Sequence, residues 1–184
     1  MVGAGSSSGG AGGSSGASKS GAAAPALRVA ILTVSDSVSR GEREDRSGAA
    51  LRARCEELGW RVVSTEIVSD DRDAIQKVFI AIADANRADL ILSTGGTGLS
   101  PRDVTPEATI SACEKLVPGL GERMRQVGGR NFAKAYLSRA TAGTLARTLI
   151  VNLPGSPRGA VESLDAIAGL LPHAVEILHG ARHD

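Results

Sequence analysis

The sequence predicts an α/β fold built on an open, mostly parallel sheet with helices on both faces. Three observations carry that prediction. Short aliphatic runs alternate along the chain with segments of helical period. The runs are nearly continuous in Val, Ile and Leu, as strands covered on both faces are. Each run also ends in small, polar or acidic residues, where the loops of a parallel sheet gather.

Residues 1–26 of the 184 contain only Gly, Ser and Ala apart from Met1, Val2, Lys19 and Pro25. Such a segment has no apolar face to bury, so it is expected to be a disordered tail. It lacks the basic start and apolar stretch of a signal peptide. Residues 27–184 have the length of one domain.

Within that domain, 28–35 (RVAILTVS) is the first expected strand and 36–46 a charged loop. A helix over 47–58, closed by Gly59, leads to a strand over 60–68. Ser69, Asp70 and Asp71 offer N-caps to a helix reaching 85, with Ile75, Val78, Phe79 and Ile82 on one face. A strand over 88–93 precedes the segment TGGTGLSPRDVTPEA (residues 94–108). In it, Thr105, Pro106 and Glu107 read as a hydroxyl cap, a first-turn proline and a first-turn acid of a helix over 105–116. Another helix is expected over 118–127, stopped by Gly128 and Gly129, then a helix and a short strand within 130–147. A strand over 148–152 is broken by LPGSP, and helices over 157–170 and 172–178 close the chain.

Composition removes several classes of function. The chain has 21 Lys and Arg against 20 Asp and Glu, and one of the basic residues, Lys19, lies in the tail, so the domain is neutral. Neutrality argues against a nucleic-acid partner, and so does the presence of only Trp60, Phe79, Phe132 and Tyr136 as aromatics. No run is long enough to span a bilayer. Cys55 and Cys113, far apart and within expected helices, read as two buried thiols of a reducing cytoplasm. His173, His179 and His183 do not share a helical face, which argues against a His-based triad or metal site.

Chemistry must then rest on carboxylates, hydroxyls, Arg and backbone amides. Four strand ends offer them: Ser35-Asp36, Ser69-Asp70, Thr94-Gly95-Gly96-Thr97-Gly98 and Asn152-Leu153-Pro154-Gly155-Ser156. The TGGTG glycines suit either an anion cradle, with Thr hydroxyls as added donors, or a structural turn. They match neither the GxGxxG nor the GK[ST] loop pattern. Asp103 reads either as a cap or ion-pair partner of Arg102, or as an acid facing the same crevice as Asp70. Two acids beside a phosphate cradle call for a hard divalent cation such as magnesium, with Arg102 and amides taking the remaining phosphate charge.

TGGTGLSPRDVTPEA, with the early TVSDS and the late NLPGSP, resembles the Mog/MoaB-like family of molybdenum-cofactor biosynthesis. PGLGERMRQ (118–126) and LSR (137–139) match the family pattern in order. The resemblance implies a three-layer αβα sandwich, the molybdopterin-binding fold, and a molybdopterin adenylyltransferase. Such an enzyme joins AMP from magnesium ATP to the molybdopterin phosphate and releases pyrophosphate; the alternative is a non-catalytic molybdopterin carrier of the same fold. By motif, Asp70 and Asp103 correspond to the family's essential, metal-binding acids. Ser35, Asp36, Thr94, Gly95, Gly96, Thr97, Gly98, Ser138, Asn152, Pro154, Gly155 and Ser156 fall in its substrate-binding segments. A homotrimer, with a hexamer as the other family state, and a molybdenum insertase as downstream partner are implied in the same way.

Overall fold

The structure, a computed structural model, describes residue 3 and residues 26–180. The tail expected over 1–26 therefore lies almost wholly outside the described residues, as does His183. Among the described residues, six strands form one sheet: β1 (Arg28–Val34), β2 (Arg61–Val68), β3 (Leu90–Thr94), β4 (Lys115–Leu116), β5 (Ala142–Leu145) and β6 (Thr148–Leu153). Their order is β2-β1-β3-β6-β5-β4. The first four are parallel, and β5 and β4 add antiparallel to the β6 side.

Alternation along the central strands makes two cores. Val29, Ile31, Leu90, Leu92, Leu149 and Val151 face one side of the sheet; Ala30, Leu32, Ile91 and Ile150 face the other. The first face is covered by helices α2 (Arg46–Glu57), α5 (Pro118–Asn131), α6 (Pro157–Ile167) and α7 (Leu171–Leu178), through Leu51, Met124, Leu164 and Val175. The second is covered by α3 (Arg72–Asp84) and α4 (Thr105–Ala112), through Ile75, Phe79, Ile82 and Ala108. The result is a three-layer αβα sandwich, and because both faces are covered the central strands read as unbroken aliphatic runs.

Caps fix where the helices begin. Asp45 accepts the Gly48 amide at the start of α2, Asp71 the Ala74 amide at α3, and Ser156 the Gly159 amide at α6. Pro157 follows in the first turn of α6.

Several expectations are corrected. The charged loop after β1 begins as a short helix, α1 (Asp36–Ser39), capped by Ser35. The helix expected to reach 116 ends at Ala112, because 115–116 pair with Thr144 and Gly143 as a sheet edge. Thr105 does not cap α4; Val104 holds that position, and the Thr105 hydroxyl donates to Gly95 O at 2.9 Å. Gly128 and Gly129 do not stop α5, which runs on to Asn131. A Cβ at Gly129 would strike the Tyr136 ring, so these glycines make room for the 3-10 turn Ala133–Leu137 folded back on the helix. Tertiary packing there overrides helix propensity. The chain over 157–170 is an α-helix followed by the 3-10 turn Ala168–Leu170. Of the two thiols only Cys55 is fully buried; Cys113 is half-buried just beyond α4.

Candidate functional site

The chain enters β2 on one side of β1 and β3 on the other, so the sheet reverses its order of construction between β1 and β3. The crevice beyond the carboxyl ends at such a switch point is where open α/β sheets bind ligands. Two hollows open there. The first, about 670 Å³, is lined by Thr33, Ser35, Arg43, Asp45, Arg46 and Asp70, with Gly95 and Gly96 at its floor. The second, about 570 Å³, is lined by Thr97, Gly98, Asp103, Phe132, Lys134 and Ser138. Gly96 and Gly155 belong to both, so the hollows meet across the glycine loop.

That loop is held in a shape only glycine tolerates. Gly95 and Gly96 have φ of +104° and +63°. A Cβ on Gly95 would strike the Val34 carbonyl, and one on Gly96 would strike the Thr105 hydroxyl. The threonine hydroxyls do not all face a ligand: Thr94 Oγ1 donates to Pro154 O at 2.7 Å, and Thr105 is engaged as described. Thr97 lines the second hollow.

Asp36 and Asp70, at the ends of β1 and β2, exchange bonds. The Asp36 amide donates to Asp70 Oδ2 at 2.8 Å, and the Asp70 amide to Asp36 Oδ1 at 3.0 Å. Arg102 donates to the remaining Asp36 oxygen, so its partner is Asp36 rather than Asp103. The Arg102 bond first, and the Asp70 amide second, hold the Asp36 carboxyl below the usual carboxylate range. Asp103 closes a tight turn instead, its Oδ2 accepting the Ser100 amide at 2.8 Å. A Cβ on Gly98 would lie 2.8 Å from that same oxygen. Asp70 and Asp103 thus flank the loop from opposite hollows. Each has Oδ2 engaged by one backbone amide, while Oδ1 accepts no hydrogen bond among the described residues.

Asn152 lines neither hollow. It is fully buried beneath the loop, its Nδ2 donating to Ser93 Oγ at 2.9 Å and Thr109 Oγ1 at 2.8 Å. Pro154 and Ser156 line the second hollow, and Ser138 lies opposite them. Arg139 stands in the LSR motif, to which the sequence assigned no role at the site. Its Nε donates to Gly98 O at 2.7 Å, and its other nitrogens reach Asp103 O and the Glu107 carboxylate. Burial works to raise the Glu107 carboxyl, but the Arg139 bonds outweigh it and hold the group low. Arg43 and Arg46 were also unmarked; both are exposed residues at the rim of the first hollow, and Arg46 pairs with the exposed Glu44.

Burial pushes the Cys55 thiol up to about 12 and the Cys113 thiol up to about 11, which leaves neither as a nucleophile at neutral pH. No group of three or more His, Cys, Asp or Glu among the described residues could hold a metal ion by itself. Magnesium, however, commonly takes one or two carboxylates and completes its shell with water and substrate phosphate. The hard, open oxygens of Asp70 and Asp103 fit that requirement.

A glycine cradle with two part-satisfied acids lies at the switch point of a three-layer α/β sheet, the place where open sheets of this class bind ligands. The family model described as "Probable molybdopterin binding domain" matches residues 30–173, and the chain belongs to this family. It is 40% identical over 156 residues to a molybdopterin adenylyltransferase of Helicobacter pylori strain J99, covering 84% of this chain and 89% of that protein. The crystal structure of the molybdopterin biosynthesis enzyme MoaB of Thermus thermophilus superposes with a TM-score of 0.79 at 49% identity, covering 86% of this chain and 99% of that one. The Mog protein of Mycobacterium ulcerans superposes with a TM-score of 0.78 at 33% identity, covering 83% and 99%.

Proposed function

We infer that this chain is a molybdopterin adenylyltransferase of molybdenum-cofactor biosynthesis. The observation that carries the reading is the pair of hollows meeting at Gly96 and Gly155, with one acid on each side. Adenylyl transfer must bring two phosphate-bearing substrates together at their phosphates, and a shared glycine wall is where they would meet. One substrate occupies each hollow.

The terminal phosphate of molybdopterin attacks the α-phosphate of ATP, a new phosphoanhydride forms, and pyrophosphate leaves. Gly95 and Gly96 let the phosphates approach the backbone closely. Arg43, Arg46 and Lys134 supply positive charge along the two walls. Ser35, Ser138, Pro154 and Ser156 bound the ligands, Asp36 lines neither hollow and braces Asp70 through its amide, and Asn152 supports the loop from below. Asp70 and Asp103 would hold magnesium, which when bound neutralises phosphate charge. The reaction needs no protein nucleophile, so rate enhancement comes from positioning and electrostatics.

The reading extends to a cytoplasmic homotrimer that passes its product to a molybdenum insertase. Among the described residues no helix is long and apolar enough to cross a membrane. The test is pyrophosphate release, expected only when molybdopterin, ATP and magnesium are all present. Tight molybdopterin binding without any ATP consumption would instead make the chain a carrier.

A further inference from the structure

We propose that Arg139 is the positioning residue of this site, a clamp that fixes Asp103 against the glycine loop. The inference rests on the adenylyltransferase reading above. Arg139 follows Ser138 on the wall of the second hollow and reaches across to the loop that carries the acid. Its backbone amide donates to Thr97 O at 2.9 Å. Its guanidinium then bonds Gly98 O, at one end of the turn, and Asp103 O, at the other. A third arm reaches Glu107 in the first turn of α4.

Of these four anchors two close the turn from Gly98 to Asp103, and the other two tie Arg139 to Thr97 before it and to Glu107 after it. Without them the turn is held by the Ser100 amide on the Asp103 carboxylate, the reciprocal Asp103 amide on Ser100 O, the Arg102 amide on Ser100 Oγ at 3.3 Å and the Arg102–Asp36 bond. The last of these is between side chains respectively 64% and 28% exposed, and water weakens such a pair. The Arg139 side chain is half-buried, at 34% exposure. Glu107 Oε2 is buried and accepts no bond, so Glu107 has Arg139 as its side-chain partner. The three bonds leave from three different nitrogens of a planar fork; a lysine keeps the charge but gathers its donors on one nitrogen and cannot span the same acceptors.

Arg139 touches no reacting atom in this account. It acts through Asp103, and small displacements of a positioned group can cost roughly 10²-fold in rate.

The test is Arg139→Lys in the full chain, read by kinetics and by the Ser100 amide resonance, which reports the bond to the Asp103 carboxylate. Turnover is expected to fall about tenfold or more, with both KM values within about twofold. The Ser100 amide should shift upfield while the Arg28 amide, bonded to Asp89 at the opposite edge of the sheet, stays in place. Guanidinium ion should partly restore the turnover of Arg139→Ala, and ammonium should not. Unchanged turnover in Arg139→Lys, or a loss seen only in KM, overturns the proposal. So does a shifted Ser100 amide with normal turnover. If Arg139→Lys melts well below the parent, Glu107→Gln replaces it, with the same resonance and the same kinetic split expected. Wild-type protein with no turnover at all would sink the adenylyltransferase reading, and the Ser100 amide would still decide whether the clamp exists.

Discussion

The two edges of the parallel sheet treat charge in opposite ways. At the amino edge, Asp89 lies 8% exposed and both of its oxygens are engaged. It accepts the Arg28 amide at 2.9 Å and the Arg28 guanidinium at 2.7 Å, while the backbones of Arg28, Asp89 and Leu149 lace the strand starts together. At the carboxyl edge, Asp70 and Asp103 each retain an unengaged oxygen beside a strained glycine turn. A hollow of about 540 Å³ opens at the amino edge too, yet no loop glycine lines it. Cavity size does not separate the two edges; what separates them is that Asp70 and Asp103 each keep an oxygen that accepts no hydrogen bond among the described residues.

The comparison breaks most visibly at the carboxyl edge. Asp103→Asn is expected to lower turnover by roughly 10²–10³-fold, the range seen when charge stabilisation is removed. Its melting temperature should stay near that of the parent, since the lost charge had one amide partner. Equal turnover would return Asp103 to the role of a turn residue. Gly96→Ala comes next: its φ of +63° and the clash with Thr105 predict a loss of about 1–3 kcal/mol in a urea titration.

The opposite edge should show the converse. Asp89→Ala is expected to cost about 2 kcal/mol, the worth of a charge-assisted bond, with turnover unchanged. Burial works to raise the Asp89 carboxyl, but the Arg28 bonds win and hold it below its ordinary range. A depressed carboxyl stabilises the fold above its unfolded pKa, about 3.9, and loses that contribution as pH falls through the folded value. The gap between parent and Asp89→Ala in thermal melts should therefore be full at neutral pH and shrink in the acid range below about pH 4. Smallest of all, Arg52→Ala breaks an exposed i,i+4 pair with Glu56 and should cost about 0.5 kcal/mol or less.

What the sequence made legible follows the range of the interactions involved. β1, β3 and β6 could be read directly, because burial on both faces writes itself as a continuous aliphatic run. Asp71 as a cap was equally local, one of three adjacent candidates before α3. The two-residue strand Lys115–Leu116 carries no pattern, since both residues are exposed and only their pairing with β5 defines it. The glycines of α5 looked like a helix stop because their neighbour, Tyr136, arrives from the following turn. At the site, the glycines, Asp70 and Asp103 could be picked out from strand ends and motif. Their partners could not: Arg102 meets Asp36 66 positions away, and Asn152 meets Thr109 43 positions away. Arg139 stood in the LSR motif without a role for the same reason, as its bonds to Gly98 and Asp103 exist only once the second hollow is built.

The most direct measurement follows the α-phosphate itself. Wild-type protein is incubated with molybdopterin, magnesium and ATP labelled at the α-phosphorus, alongside Asp103→Asn and Asp89→Ala. The account predicts label on the pterin, with unlabelled pyrophosphate, for wild type and Asp89→Ala, and little or none for Asp103→Asn. Label that stays on free nucleotide with wild-type protein, or transfer that survives Asp103→Asn and fails in a folded Asp89→Ala, would contradict it.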